Sequence, residues 1–389
     1  MDLAYSQEHE TYRDEVRSFL EHNKDQAPRR DGGLSAQAWQ QLLIEHGYGA
    51  RTIPREYGGA GEEPDILKSH ILAEEFAHAK VPPGHSGDNR IVPVLLEMGT
   101  QEQKQRFIGP TVRGEMSWCQ GYSEPNAGSD LASLQTKAHV DGDDFVINGQ
   151  KIWTSGAHVA NMIFALVRTD PEAPKHRGIT YLLASMESPG IEVRPLVQMS
   201  DAQGFNEVFF EDVRVPVKNA VGEIDRGWYV GATHLDFERS SIGNAVGQQR
   251  MLDGLRGFLQ EERDAGSGRS RLGQPGAPRT ELADRYIEAA VAKTLSQRVI
   301  SMQSRGLIPN YEASMTKVFS TEFNQRIART ATKLLGKYGD IRDRENKWSP
   351  MRGRWATMYL SSVSSTIAGG TSEIQRNVIA TRGLGLPRG

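Results

Sequence analysis

Gly121-Tyr122-Ser123-Glu124-Pro125-Asn126-Ala127-Gly128-Ser129-Asp130, followed by Gln150-Lys151-Ile152-Trp153-Thr154-Ser155-Gly156, is the stretch on which the reading of this chain turns. Small residues and hydroxyls crowd the first segment, and a tryptophan followed by two hydroxyls anchors the second. That combination suits a flat ring with polar edges. Ser, Pro, Asn, Gly and Asp are also ordinary turn formers, so the first segment taken alone admits a plain loop reading. A third segment, Gly369-Gly370-Thr371-Ser372-Glu373-Ile374, lies near the C-terminus.

Composition removes several classes of function. The 389 residues are enough for two or three domains. A formal net charge of -3 gives no broad attraction to nucleic acid or anionic lipid. The one cysteine, Cys119, excludes an intrachain disulfide and a thiol cluster for zinc or iron-sulfur, and it fits a reducing cytosol. The N-terminal residues lack a basic and apolar leader pattern, and no apolar run approaches membrane-spanning length, so a soluble cytoplasmic protein is expected. G-x-G-x-x-G after a strand, G-x-x-x-x-G-K-[ST], H-E-x-x-H and G-x-S-x-G are all absent. The ten histidines are scattered, and no metal site is assigned.

The hydropathy pattern divides the chain into three. Helical periodicity and Gly/Pro punctuation predict helices over 8–23, 36–46, 64–79, 91–97 and 100–107. Beyond Arg113 the segments become short, β-branched and aromatic, predicting strands over 162–167, 178–184 and 208–215. Asn148-Gly149, between two such runs, predicts a type I′ hairpin turn that would put Trp153 on a strand. From Trp228 a long helix is expected, with Leu235, Ile242, Val246, Leu252, Leu255 and Leu259 along its apolar face. A Gly/Pro/Arg-rich loop over 265–279 has the composition of a mobile stretch, and helices resume over 280–303, 313–338, 354–367 and 372–381. The expected architecture is an α+β multidomain fold. It comprises an N-terminal α-helical domain (1–113), a middle antiparallel β domain (114–225) and a C-terminal four-helix bundle (226–389).

These segments, together with Gly114-Glu115, Asn148-Gly149-Gln150-Lys151 and Asp212-Val213-Arg214-Val215-Pro216, occur in the order found in the acyl-CoA dehydrogenase family, which the chain resembles over essentially its whole length. The resemblance implies an FAD-dependent α,β-dehydrogenation of an acyl-CoA to a trans-2-enoyl-CoA, in fatty acid or lipid metabolism. Electrons would leave through an electron-transfer flavoprotein. It places Gln120, Tyr122 and Ser123 at the pyrimidine edge of the flavin, where donors stabilise the charge that accumulates on reduction. Gly128 and Ser129 would lie where the FAD pyrophosphate and the acyl-CoA pass the backbone. Trp153 would cover one flavin face, with Thr154 beside it and Ser155 near N5. Thr371, Ser372 and Glu373 would meet the adenosine half, which a neighbouring subunit completes in this family. A homo-oligomer, dimer or tetramer, is therefore expected.

The family pattern is broken in places. Around the 265–279 loop the chain offers Arg263 and then Gly and Pro, and where many relatives carry Q-x-x-G-G it has Lys333-Leu334-Leu335-Gly336-Lys337, whose lysines could meet phosphate oxygens as point charges. These departures keep open a heteromer in which this chain is the FAD-binding subunit. A same-fold flavoenzyme of other chemistry, a monooxygenase or desulfinase, is also open.

The third segment carries Gly369 where many members have the catalytic glutamate. In the branch that includes the isovaleryl-CoA dehydrogenases the base comes from the long helix in a D-x-E-R sequence, and this chain has Asp236-Phe237-Glu238-Arg239 there. Glu238 is the expected base. It falls three residues after Leu235 and four before Ile242, on the apolar stripe, and no Lys or Arg stands at 234, 235, 241 or 242. A surface glutamate beside Arg239 is the ordinary alternative. Burial against a thioester is expected to raise the pKa of Glu238 towards that of a working base. The Gly369 N–H would then hold the thioester oxygen, while the missing side chain leaves room for a branched or bulky acyl group. Asp236, Arg239, Ser129 and Gly370 would border the acyl-CoA.

Overall fold

The computed structural model describes residues 5–29, 32–84, 90–232 and 244–387. The chain separates into two compact units, one drawn from Met1–Asp14, Asp65–Ala77 and Arg239–Gly389, the other from Glu15–Pro64 and His78–Glu238. Helices come first: α1 (Gln7–Asn23), α2 (Ala36–Glu45), α3 (Ile66–Ala79), α4 (Ile91–Met98) and α5 (Gln101–Val112). The strands follow: β1 (Trp118–Gly121), β2 (Lys137–Asp141), β3 (Asp144–Lys151), β4 (Met162–Arg168), β5 (Ile179–Ser185), β6 (Ile191–Leu196), β7 (Phe205–Pro216) and β8 (Ala220–Val221). The order of helical, β and again helical segments matches expectation.

The strands form one sheet in the order β6-β7-β3-β2-β4-β5-β8, with β1 paired to β4 off this path. Most pairs are antiparallel, whereas β1·β4 and β2·β4 are parallel. Strand β4 is buried on both faces, so it reads as a continuous apolar run. Its period of two sends Phe164 and Leu166 towards Val94, Leu95 and Phe107 of the helices, and Ile163, Ala165 and Val167 into a second cluster with Phe145, Val208 and Val213. Helix α5 is tied to the sheet by its own N-cap. Thr100 and Gln103 form a capping box. The same Gln103 amide donates to the carbonyls of Lys218 (2.8 Å) and Ala220 (2.7 Å).

Two local expectations fail in this sheet. The β2–β3 hairpin turns at Gly142-Asp143, where Asp141 pairs with Asp144 and Gly142 has φ +64°. Asn148-Gly149 instead lies inside β3, at a register shift against β7. Asn148 exchanges two hydrogen bonds with Asp212, donating to its carboxylate (2.9 Å) and accepting from its backbone N–H (3.0 Å). The signal was therefore right for a positive φ, which Gly149 has at +147°, and wrong for the turn. As a consequence β3 runs through to Lys151, and Trp153 sits in a bend with φ +60° rather than on a strand.

In the other unit, α6 (Asn244–Asp264), α7 (Arg279–Gln303), α8 (Tyr311–Leu335) and α9 (Arg354–Ser365) pack into a bundle, and α10 (Ser372–Val378) follows. Leu252, Leu255 and Leu259 of α6 meet Leu282, Ala289 and Ala292 of α7, Phe323, Ile327, Ala331 and Leu334 of α8, and Trp355 of α9. The three-and-four spacing is what an apolar stripe on a helix demands. The 265–279 loop is pinned, contrary to its composition. Arg269 makes a two-pronged contact with Glu262 (2.6 and 2.8 Å), and the Arg271 N–H donates to the Leu334 carbonyl (2.9 Å).

This unit also buries a charged cluster. Arg13 donates to Glu74 (3.2 Å) and Glu75 (2.6 Å), His70 lies 3.3 Å from Glu74, and the Tyr5 ring stacks on the Arg13 guanidinium. Burial opposes ionisation of Glu74, yet the hydrogen bonds and charge of His70 and Arg13 outweigh it and hold the carboxyl down at about 2. A carboxyl depressed on folding stabilises fully above its unfolded value of 4.5 and loses that stabilisation as pH falls through about 2. Glu74→Gln is expected to destabilise the protein at neutral pH, by an amount that shrinks as pH falls towards 2. Urea unfolding of both proteins between pH 7 and pH 2 checks this, and parallel pH profiles would refute it.

Candidate functional site

The sheet unit carries the first group of candidate residues. Segment 121–130 leaves β1 and folds back at once, because the Glu124 N–H and the Ala127 N–H each bond the other residue's carbonyl (2.9 and 3.0 Å) across Pro125-Asn126. The Glu124 carboxylate accepts from the backbone N–H groups of Gln135 (2.6 Å) and Thr136 (2.9 Å). It also accepts from Lys151 at 2.7 Å, and the fully buried Lys151 ammonium makes a second bond to the Tyr122 carbonyl at 3.2 Å. The Ile152 N–H donates to the Ser123 carbonyl (2.9 Å), so the two quoted segments are stitched side by side. Burial pushes Lys151 down to about 8, with the charge of Glu124 opposing the shift. Burial likewise disfavours ionised Glu124, but Lys151 and the two N–H donors win and its carboxyl is held below the usual value.

Among the expected contacts, Gln120 lies on β1, Ser123 is half-buried, and Gly128, Ser129 and Ser155 are exposed. Trp153 is 57% exposed, its ring edge-on to Phe205. The Tyr122 ring is buried edge-to-face against Phe164 and Tyr181. The Thr154 N–H donates to the Asn206 carbonyl and its carbonyl accepts from the Asn206 side-chain amide, while its buried hydroxyl has no hydrogen-bond partner. Lys151 and Glu124 escaped the sequence reading as site builders. Their signal was a lysine closing an apolar strand, which requires a buried acid nearby.

The bundle unit carries its own group of candidate residues. Gly369 and Gly370 have φ +65° and +89°, a region natural to glycine. A Cβ on Gly369 would meet nothing within 4 Å, whereas one on Gly370 would come to 2.5 Å from the Gln375 amide. That amide donates to the Gly369 carbonyl (3.1 Å), and Lys317 donates to the Gly370 carbonyl (2.5 Å). Thr371 caps α10 by accepting from the Ile374 N–H, and Glu373 is exposed. The Ser372 hydroxyl is buried without a hydrogen-bond partner and lines a cavity of about 360 Å³ with Gln325, Arg326, Arg329, Thr366 and Arg376. Lys333 forms an ion pair with Glu281 (2.8 Å). Asp236, Glu238 and Arg239 lie outside the described residues.

A buried hydroxyl left without a partner costs about 1–3 kcal/mol, and such orphans ask for a polar ligand atom. Thr154 and Ser372 are orphans of this kind, one in each unit, within the segments expected to meet FAD. The exposed indole of Trp153 offers a ring surface, and the guanidinium groups beside Ser372 suit phosphate oxygens. The residues present therefore fit a flavin nucleotide.

Family models of the N-terminal, middle and C-terminal domains of acyl-CoA dehydrogenase match residues 6–115, 119–213 and 225–384. IpdE1, an acyl-CoA dehydrogenase of Mycobacterium tuberculosis, is 36% identical over 359 residues, covering 90% of this chain and 88% of the relative. The chain belongs to the acyl-CoA dehydrogenase family. Acyl-CoA dehydrogenase FadE26 of the same organism is 33% identical over 406 aligned positions, covering 100% of this chain and 99% of FadE26. Among solved structures, the Tcur3481-Tcur3483 steroid acyl-CoA dehydrogenase superposes with TM-score 0.83 at 33% identity, covering 100% of both chains. The ChsE4-ChsE5 complex of Mycobacterium tuberculosis superposes with TM-score 0.80 at 32% identity, again covering 100% of both chains. This acyl-CoA dehydrogenase is thus an oxidoreductase of a family that is generally FAD-dependent. No helix among the described residues is long and apolar enough to cross a membrane.

The Gly149 bulge sets where Lys151 and Trp153 emerge, and it tolerates no side chain. A Cβ there would sit 2.7 Å from the Thr136 Cα. Gly149→Ala in the acyl-CoA dehydrogenase is expected to cost about 1–3 kcal/mol by urea denaturation. Unchanged stability would show that the bulge can relax.

Proposed function

We propose that the chain binds FAD and converts a bulky or branched acyl-CoA thioester to the trans-2-enoyl-CoA. Residues 1–113, 114–225 and 226–389 would be its three domains. The observation that carries the reading is the pair of buried, unpartnered hydroxyls, Thr154 and Ser372, set in the segments that the family devotes to its cofactor. When bound, FAD supplies the acceptor of the β hydride. Gln120 and the backbone of Tyr122 and Ser123 meet its pyrimidine edge, Trp153 covers one face, and Thr154 and Ser155 lie along the remaining edge. Gly128 and Ser129 let phosphates pass, and Thr371, Ser372 and Glu373 take the adenosine end.

Glu238 removes the α proton, in the manner of the isovaleryl-CoA dehydrogenase-like branch. The Gly369 N–H polarises the thioester carbonyl, its peptide braced by Gln375 on the following carbonyl. Asp236, Arg239, Ser129 and Gly370 border the acyl-CoA. A cleft of about 570 Å³ starts beside Asp130 and is lined by Lys137, His139, Arg168 and Lys175, which suits the phosphates of coenzyme A. Open space at the Gly369 Cβ position and a structural neighbour titled a steroid acyl-CoA dehydrogenase support a bulky, polycyclic acyl group. Electrons leave to an electron-transfer flavoprotein, and the working form is an oligomer.

A second reading is favoured by the ChsE4-ChsE5 complex among the structural neighbours and by the departures at 263–279 and 333–337. In it the chain is the FAD-binding subunit of a heteromer. Purification of the chain alone separates the two. A yellow, stable protein supports the homo-oligomer, and a colourless one the heteromer.

Glu238→Gln is expected to lower the rate of anaerobic flavin bleaching by acyl-CoA about 10²–10⁴-fold while flavin absorbance is retained. Normal bleaching would remove Glu238 from the role of base. In a panel of thioesters, faster bleaching by straight short chains than by branched or polycyclic ones would overturn the substrate class.

A further inference from the structure

We propose that the buried Lys151–Glu124 pair is a positioning element for catalysis, which turns the Tyr122–Ser123 peptide so that the Ser123 N–H faces the flavin edge. The proposal rests on the reading that places the flavin against segments 120–129 and 153–155. Lys151 holds the Tyr122 carbonyl from the core side at 3.2 Å. In a planar trans peptide the carbonyl and the following N–H point in opposite directions. The Ser123 N–H is thereby directed away from the core. The flanking groups are already committed, since the Ser123 carbonyl accepts from Ile152 and the Glu124 N–H donates to Ala127. This one peptide cannot turn without breaking the Lys151 bond.

Fold maintenance alone does not call for such a pair. Burying two charges costs several kcal/mol per ion, and apolar residues of similar volume often serve as well or better. Here the charges instead fix backbone groups: the carbonyl of Tyr122 and, through Glu124, the N–H groups of Gln135 and Thr136. An N–H held against the ring edge stabilises the charge that develops there as hydride arrives, without reorganisation.

The test compares wild type with Glu124→Gln/Lys151→Met, which keeps side-chain volume and removes both charges together. The double variant is expected to melt like wild type and to bind FAD. Its bound flavin should show altered visible circular dichroism and a lower midpoint potential. Amide exchange at Gln135 and Thr136 should be faster, and kcat about 10- to 100-fold lower with KM within about twofold. Unchanged dichroism, potential and kcat in a folded, flavin-loaded variant would reduce the pair to a structural role and overturn the proposal. Wild type that takes up no FAD would overturn the cofactor reading instead.

A pH titration of wild type decides the matter even if the variant does not fold. Lys151 is buried to a value of about 8 from an ordinary 10.5, and Glu124 and Arg168 are the charged groups acting on it. Between these values the unfolded chain holds a proton that the folded chain has released, so this lysine's linkage favours folding as pH rises. The visible dichroism of bound flavin is expected to change with an apparent pKa near 8 while stability does not fall in step. A flat signal through that range would overturn the proposal.

Discussion

A lysine ammonium with no exposure must find an acceptor, and segment 121–130 of the sheet unit is arranged around meeting that need. Lys151 closes strand β3 pointing inward, and Glu124 of that segment turns its carboxylate inward to receive it. Glu124 in turn draws the Gln135 and Thr136 backbone into place ahead of β2. Thr136 crowds the position of Gly149, and there the strand bulges. The bulge determines the side on which Lys151 emerges. These contacts run from Lys151 through Glu124 and Thr136 to Gly149, so a segment of turn-forming residues is anchored to the sheet at several points.

The bundle unit obeys a different logic. Its glycines at 369 and 370 adopt positive φ, and their two carbonyls are taken up by Gln375 and Lys317. Those carbonyls are held by side chains from α10 and α8, and α8 is placed by the apolar stripe of the bundle. The 265–279 loop, rich in Gly and Pro, is held by Arg269 and by the carbonyl that Leu334 leaves open at the end of α8.

The helices and principal strands were legible because periodicity is a property of many residues at once, and single errors average out over an element such as α8. Site geometry depends on a few residues, and there local signals competed. Asn148-Gly149 and Gly142 both carry the chemistry of positive φ, and only the pairing of β3 with β7 determines which one turns the chain. Tyr122 could face either a ligand or the core. The cluster of Phe164 and Tyr181 claims its ring, a contact across more than 40 residues that no local pattern encodes. The ion pairs of Lys333 and Arg269 were hidden for a related reason, since a cation's partner is a tertiary fact.

The same reasoning bears on the glycine that replaces a catalytic side chain at 369. The Gly369 backbone has φ +65° and its carbonyl accepts from Gln375, and a glycine provides its N–H as well as any residue. In the proposed function, polarising the thioester and abstracting the proton would be separable tasks carried by different residues of the chain. The volume beside position 369 would then be released from the chemistry and could be given to the substrate. An enzyme with its base on a helix could thus widen its acyl site without changing the peptide that holds the carbonyl. On that proposal, departure from the commoner family pattern at Gly369 would be a matter of pocket shape and not of lost function.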